Sequence, residues 1–299
     1  MGPYLNRFSI RDLENFSGVK AHTIRIWERR YGLLDPDRTD TNIRTYSTDE
    51  LKTILNVAFL NRHGVKISKI AALTKTERDQ RVKQVSEDAS DPSGSLNNLK
   101  LAMVSYDTRL FERTSDTYRE QEGFRALVER LYVPLLEQVG VLWQSNSICP
   151  AQEHFASNLV RQKLVSAIDS ARPLERAEGR LYVLYLPENE IHELGLLYLH
   201  YRLRIAGERV IYLGQSVPMG DLAQVAEQFA GPITFISVLT AFPSSDDLPT
   251  YLRTLRASLP DQRIEFVLSG ARVGAAAIDT SEKGVRLMPR FRDLLAIMP

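Results

Sequence analysis

Cysteine is nearly absent: Cys149 is the one thiol among 299 residues. A disulfide within the chain is thereby excluded, and the composition suits a reducing cytoplasm. Long apolar runs are missing as well. None approaches the roughly 18 residues of a membrane span, and Met1 to Arg11 has no apolar core of the kind a secretory signal carries. A cytoplasmic protein with no membrane partner is expected. Net charge is also small, +1 from 38 Lys/Arg and 37 Asp/Glu, but its distribution is uneven. Residues 1–75 hold 13 basic against 8 acidic side chains, and the remainder 25 against 29. A basic front on a mildly acidic body points to an anionic partner for the first domain. No Gly-x-Gly-x-x-Gly fingerprint occurs, which sets aside a nicotinamide dehydrogenase. No Ser/His/Asp or Cys/His nucleophile arrangement is legible either, so the chain is not expected to be an enzyme.

What is present divides into three folded segments. From Phe8 to Thr74, Ser9 precedes Ile10-Arg11-Asp12, the spacing of a capping box. The helix it starts ends near Ser17-Gly18, and a second begins at Lys20-Ala21-His22. Two short helices around a glycine-containing turn form the helix-turn-helix pattern. On the second, Ile24 and Trp27 share a face that can bury, while Arg25, Arg29 and Arg30 stay outside, where they can enter a major groove and clamp phosphates. His22 reads as a contact at the start of that helix. Asp35-Pro36 and the Asn/Thr/Asp cluster before Arg44-Thr45-Tyr46 predict a turn between two extended pieces, a wing. Ser47 to Glu50 then caps a helix running to about Arg62.

Thr76 to Ser95 is polar and ends in Asp91-Pro92-Ser93-Gly94-Ser95, the composition of a linker. From Leu96 to Ala171 the pattern is helical, with Leu127, Leu131, Leu135, Val139 and Leu142 three or four apart, which predicts a four-helix bundle. From Arg180 onward, five apolar runs alternate with helix candidates: Leu181–Leu186, Arg209–Leu213, Ile233–Leu239, Ile264–Leu268 and Val285–Met288. This predicts a doubly wound parallel sheet, Rossmann-like and of flavodoxin-like order. The expected fold class is therefore multidomain, α and α/β. Its domains are a winged helix-turn-helix over 1–75, a linker over 76–95, a bundle over 96–172 and the sheet over 178–299.

Three motifs carry a resemblance. Ile24 to Leu34, with Arg44-Thr45-Tyr46-Ser47, is similar to the winged helix of MerR-family transcription regulators. Trp143 is followed after nine residues by Glu153-His154. Glu190-Ile191-His192-Glu193-Leu194-Gly195 follows the first strand of the sheet, and resembles the Asp/Glu-x-His-x-x-Gly motif by which cobalamin-binding domains ligate cobalt from below. Together they resemble the light- and adenosylcobalamin-dependent branch of the MerR family, over nearly the whole chain. That resemblance implies a transcriptional regulator, a repressor by expectation and possessing a photoreceptor's cofactor, adenosylcobalamin held between bundle and sheet.

The resemblance also implies roles. His192 would be the axial cobalt ligand and Glu190 the acceptor on its other ring nitrogen. Gly195, Ser237, Leu239, Ser269 and Gly270 would line the nucleotide tail. Trp143 would cap the upper face, with Glu153 and His154 beside it. Double-stranded operator DNA would be met by Arg11, His22, Thr23, Arg25, Trp27, Arg29, Arg30, Tyr31, Arg38, Asn42, Arg44 and Tyr46. A homo-oligomer, dimer or tetramer, would span successive half-sites. The chain departs from the pattern at Glu190 in place of Asp, at Ala271 in place of a second glycine, and at Gln144, where some light-responsive members carry a histidine. Ala271 and Gln144 motivate the alternative of a MerR-type regulator whose degenerate cobalamin-like domain serves oligomerisation or a protein partner. The large substrate barrel of cobalamin mutases and methyltransferases has no room in this chain.

Overall fold

Glu14 explains how the first two helices come to be joined as they are. Helix α1 (Ile10–Ser17) starts on the expected box, Ser9 Oγ accepting from the Asp12 amide at 3.2 Å and the Asp12 carboxylate from the Ser9 amide at 2.8 Å. It stops at Gly18, whose φ of 74° is left-handed. Helix α2 (Ala21–Tyr31) has Lys20 at its N-cap and no capping side chain of its own. The Glu14 carboxylate supplies one from α1, accepting from the Ala21 amide at 2.9 Å and from Lys20 Nζ at 3.0 Å. One acidic side chain thus caps the second helix and fixes the turn.

The computed structural model describes residues 7–89, 91–171, 179–275 and 284–299. Its chain divides into two compact units, Met1–Asn158 and Leu159–Pro299. In the first, the wing is β1 (Asp37–Arg38) paired antiparallel with β2 (Arg44–Thr45). Helix α3 (Thr48–Arg62) starts on the Ser47–Glu50 capping box and is the buried centre of this region, with Leu51, Ile54, Leu55, Val57, Phe59 and Leu60 at 0–1% exposure. The short α4 (Ile67–Ala71) follows.

The stretch expected as a linker is instead helical as α5 (Lys75–Ala89). Its polar composition hid two polar reasons to fold. Thr74 and Glu77 form a capping pair at 2.7 and 2.8 Å, and Asp79 accepts from Lys52 Nζ at 2.6 Å and Asn56 Nδ2 at 2.7 Å on α3. The bundle comprises α6 (Ser93–Ser105), α7 (Thr108–Glu122), a run of α8 (Phe124–Leu127), a π turn (Val128–Tyr132) and α9 (Val133–Gln144), and α10 (Pro150–Ser170). The π turn has a sequence reason. Leu127, Leu131, Leu135 and Val139 recur every four residues, a spacing that drifts about 40° per step around an α-helix. One wider turn offsets the drift, and all four stay buried. Two contacts tie α1 to the bundle: Lys100 Nζ donates to the Phe16 carbonyl at 3.1 Å, and Asn15 Nδ2 to Ser147 Oγ at 2.9 Å.

The second unit begins within α10 and holds β3 (Leu181–Pro187), α11 (Leu194–Ile205), β4 (Arg209–Val217), α12 (Met219–Glu227), β5 (Ile233–Val238), α13 (Leu248–Ser258), β6 (Ile264–Ser269), α14 (Ala271–Ala275), β7 (Val285–Met288) and α15 (Phe291–Ile297). The five strands are parallel in the order β4-β3-β5-β6-β7, the expected flavodoxin-like winding. Every residue of β5 is buried, as a central strand covered on both faces must be. Aromatic contacts run across three neighbouring strands: Tyr185 meets Phe235 edge-on with ring centroids 6.1 Å apart, and Phe235 stacks on Phe266 at 5.5 Å. The order reverses between β3 and β5, so the loops leaving these two strands flank the crevice where such sheets take ligands. The boundaries expected at 172 and 178 lie outside the described residues.

Candidate functional site

Glu190 stands at that crevice and holds both of its walls. Its side chain has no exposure. One carboxylate oxygen accepts from the amides of Ile191 (2.9 Å) and His192 (3.0 Å), in the loop after β3. The other accepts from Thr240 (2.9 Å), Ala241 (2.6 Å) and Phe242 (2.9 Å), in the loop after β5. A sixth bond runs to His192 Nδ1 at 2.6 Å. Burial works to raise the carboxyl's pKa, but the bonds from His192 and from the Phe242 and Ala241 amides together outweigh it and hold the group down at about 2. The carboxylate is therefore anionic at neutral pH and can only accept. Nδ1 must carry the ring proton, and the imidazole lone pair lies on Nε2. The ring is half-exposed. A ligand with its tautomer and basicity set by a buried carboxylate is the arrangement that suits a first-row transition ion.

The far side of the loop is anchored too. Glu193 is buried and accepts from Arg161 Nε at 2.6 Å and from Tyr212 OH at 2.7 Å. His192 thus sits between two tethered carboxylates. Among the described residues no cluster of three or more His, Cys, Asp or Glu could hold a bare ion. A single imidazole suffices where the metal brings its other ligands in a macrocycle, and the donor set fits that case. Two buried hydroxyls, Ser237 Oγ and Ser269 Oγ, have no hydrogen-bond partner. Such an unmet hydroxyl costs about 1–3 kcal/mol, and both lie at the ligand end of the sheet. Register pairs Ser237 with Leu268 and Val238 with Ser269, so strand alternation directs the two hydroxyls to opposite faces.

The glycines act by close approach. A Cβ on Gly270, at φ 111°, would fall 2.5 Å from the Leu239 carbonyl oxygen, so only glycine fits beside buried Leu239. A Cβ on Gly195 would meet Val238 Cγ1 at 3.3 Å and the Phe291 ring at 3.4 Å. The close neighbours of Gly195 within the protein are thus the Val238 side chain and the Phe291 ring. Ala271 starts α14 with its side chain exposed.

In the first unit, Trp143 is 54% exposed at the end of α9, beside Val141 at 62%. Glu153 and His154 pair at 2.6 Å in the first turn of α10. Gln144 is exposed next to Trp143. Sequence reading missed Tyr106, whose ring meets Phe155 edge-on at 5.5 Å and whose hydroxyl lies 3.6 Å from Cys149 Sγ. Its only signal was an aromatic residue at a helix end.

On the winged helix, Arg11, His22, Arg25, Arg29, Arg30, Arg38 and Asn42 are exposed, and Thr23 and Tyr31 half-buried. Arg30 lies over the Tyr31 ring at 5.5 Å, and Arg38 donates to Asn42 Oδ1 at 2.6 Å across the wing. Two expected DNA contacts lie elsewhere. Trp27 is 8% exposed and Tyr46 wholly buried, so both belong to the core. Trp27 packs inward because it shares the helical face of Ile24. Tyr46 is drawn in by Glu28, which accepts from its hydroxyl at 3.0 Å and from Arg44 Nε at 3.0 Å. Glu28 thereby clamps the wing to α2, a role the sequence did not reveal.

A basic winged helix, a helical bundle and a doubly wound parallel sheet define a class of DNA-binding regulator. The profile of the MerR HTH family regulatory proteins matches residues 8–77, and that of the B12 binding domain residues 95–165. The HTH-type transcriptional repressor CarH of Myxococcus xanthus is 34% identical over 260 residues, 85% of this chain and 85% of its own. The repressor CarA of the same organism is 30% identical over 297 residues, covering 95% of this chain and 97% of its own. In fold, the monomethylamine corrinoid protein of Methanosarcina barkeri matches 69% of this chain and 97% of its own, with a TM-score of 0.52 at 13% identity. The chain belongs to the MerR family of transcription regulators, in the group that carries a B12-binding domain. It is a DNA-binding transcription regulator with a B12-binding domain, and both of these long relatives are repressors rather than enzymes. Among the described residues no helix is long and apolar enough to cross a membrane.

Proposed function

We propose that the chain is a cytoplasmic repressor that binds operator DNA through α2 and the wing, and that its signal is adenosylcobalamin and light. The observation that carries this reading is the 2.6 Å bond from His192 Nδ1 to buried Glu190, which puts the ring's lone pair on Nε2, the atom that would ligate. His192 would hold the cobalt from below, and Trp143, with Glu153 and His154, would meet the upper side. Bound adenosylcobalamin supplies a cobalt–carbon bond that visible light breaks. Trp143 and Val141 are exposed apolar side chains that a bound cofactor would take out of water. A ligand can shift an equilibrium only by binding one state better. A homo-oligomer that places several winged helices on successive half-sites is the state we expect the bound cofactor to favour.

The test is gel filtration and operator binding by the full chain, with and without adenosylcobalamin, in the dark and after illumination. Assembly and tight operator binding should require cofactor in the dark and be lost in light. Identical behaviour in all four conditions would overturn the sensor and leave the alternative, an oligomerisation or partner domain without cofactor. Arg44 checks the wing. Arg44→Ala should weaken binding to all sequences alike and reduce the salt slope by about one unit. An unchanged slope would place the wing off the phosphates.

A further inference from the structure

Helix α2 presents an outward stripe of His22, Arg25, Ile26 and Arg29, at the i, i+3, i+4, i+7 spacing of one helical face. All four are exposed, and Ile26 keeps 45% of its surface in water. Ile24 and Trp27 are buried on the opposite side. A single exposed isoleucine needs no explanation in general. Ile26 differs in its surroundings, which are cationic or ionisable to cationic on its own face. The helix's one acid, Glu28, is turned to Arg44 and Tyr46. A stripe of this charge complements DNA, and its guanidiniums account for phosphates or guanine edges. An aliphatic side chain can recognise one feature of the major-groove code, the C5 methyl of thymine.

We propose that Ile26 is a specificity-determining residue, packing on a thymine methyl and imposing an A·T pair beneath the middle of α2. This rests on α2 being the recognition helix. Isoleucine covering one methyl removes it from water, worth about 0.8 kcal/mol, or roughly fourfold in affinity.

The probe is a duplex selected from a random-sequence pool by the full chain with adenosylcobalamin in the dark, resynthesised with deoxyuridine replacing each thymidine in turn. This change removes the methyl and leaves every hydrogen-bonding group in place. For the unaltered protein, one or two positions per half-site should weaken binding by about three- to tenfold. Ile26→Ala should lose a similar factor on the thymine duplex, show a thymine-to-uracil ratio near one at those positions, and keep the parent's salt slope. Ile26→Val should fall between. Indifference of the unaltered protein to uracil everywhere, or an unchanged ratio in Ile26→Ala, overturns the proposal. Arg25→Ala and Arg29→Ala separate the two levels. If they lower affinity and slope while the ratio is insensitive to Ile26, only the methyl contact is wrong. If they too do nothing, α2 is not the reading helix and both ideas fall.

Discussion

Replacing Glu190 by alanine is expected to cost about 3–5 kcal/mol in the second unit, because five backbone amides and the His192 ring lose their acceptor inside the protein. The loops after β3 and β5 have this carboxylate as their common tether, so they should open together. Hydrogen exchange reads this directly: the amides of Ile191, His192, Thr240, Ala241 and Phe242 should lose protection as a set. Both tryptophans, Trp27 and Trp143, lie in the first unit, so their fluorescence would miss the event; circular dichroism reports the loss of the sheet. Glu190→Gln is the milder companion. It keeps one acceptor oxygen but turns an amide NH₂ toward donors, and should retain part of the protection. Acid gives a second check. The folded carboxyl sits near 2, below its ordinary 4.5. Its contribution is therefore fully present above about 4.5 and lost as pH falls through 2, and the gap between parent and variant should close over that window. Equal protection of these amides in Glu190→Ala and parent would show that the carboxylate does not join the loops.

Much of this architecture was legible because its determinants are local. Ser9 with Asp12 and Ser47 with Glu50 specify helix starts three residues away, and each box is present in the structure. The five strands announce themselves as short apolar runs bounded by turn residues. Glu190 and His192 are two residues apart, so their partnership could be anticipated. The unread parts act across distance. Thr240, Ala241 and Phe242 reach Glu190 through backbone amides 50 to 52 residues along, and no side-chain pattern advertises an amide. Arg161 and Tyr212 find Glu193 from 32 and 19 residues away. Trp27 shows a different limit. Its place with Ile24 was readable from helical spacing, but its basic neighbours suggested DNA, and packing decided the matter. In α5 the error ran the other way, since a helix can dock through polar contacts, here Asp79 and Lys75, without an apolar stripe.

The second large effect is expected at His192. Its alanine variant should lose at least ten- to a hundredfold in cobalamin affinity, since loss of a ligand's mere hydrogen-bond partner already costs that much in metal sites. Affinity alone would not separate a lost ligand from a damaged pocket, so the measurement has to see the nitrogen. Cobinamide in its cobalt(II) form, a corrinoid without cobalamin's own benzimidazole nitrogen, should show the coupling of one axial nitrogen in its electron paramagnetic resonance spectrum when bound to the parent. His192→Ala should not. Glu190→Gln should keep the coupling but bind more weakly, because the ring remains while its orientation and basicity are less well fixed. His192→Gly with added imidazole is the decisive arm. The half-exposed position of the ring gives an external imidazole a route to the same place, and the nitrogen coupling should return with it. A parent that binds cobalamin without any protein nitrogen would place the ligand elsewhere and leave the buried Glu190 as a structural tether of two loops. A parent that fails to bind cobalamin at all would make the tether the whole of the motif's purpose, and the sheet an assembly module attached to a DNA-binding head.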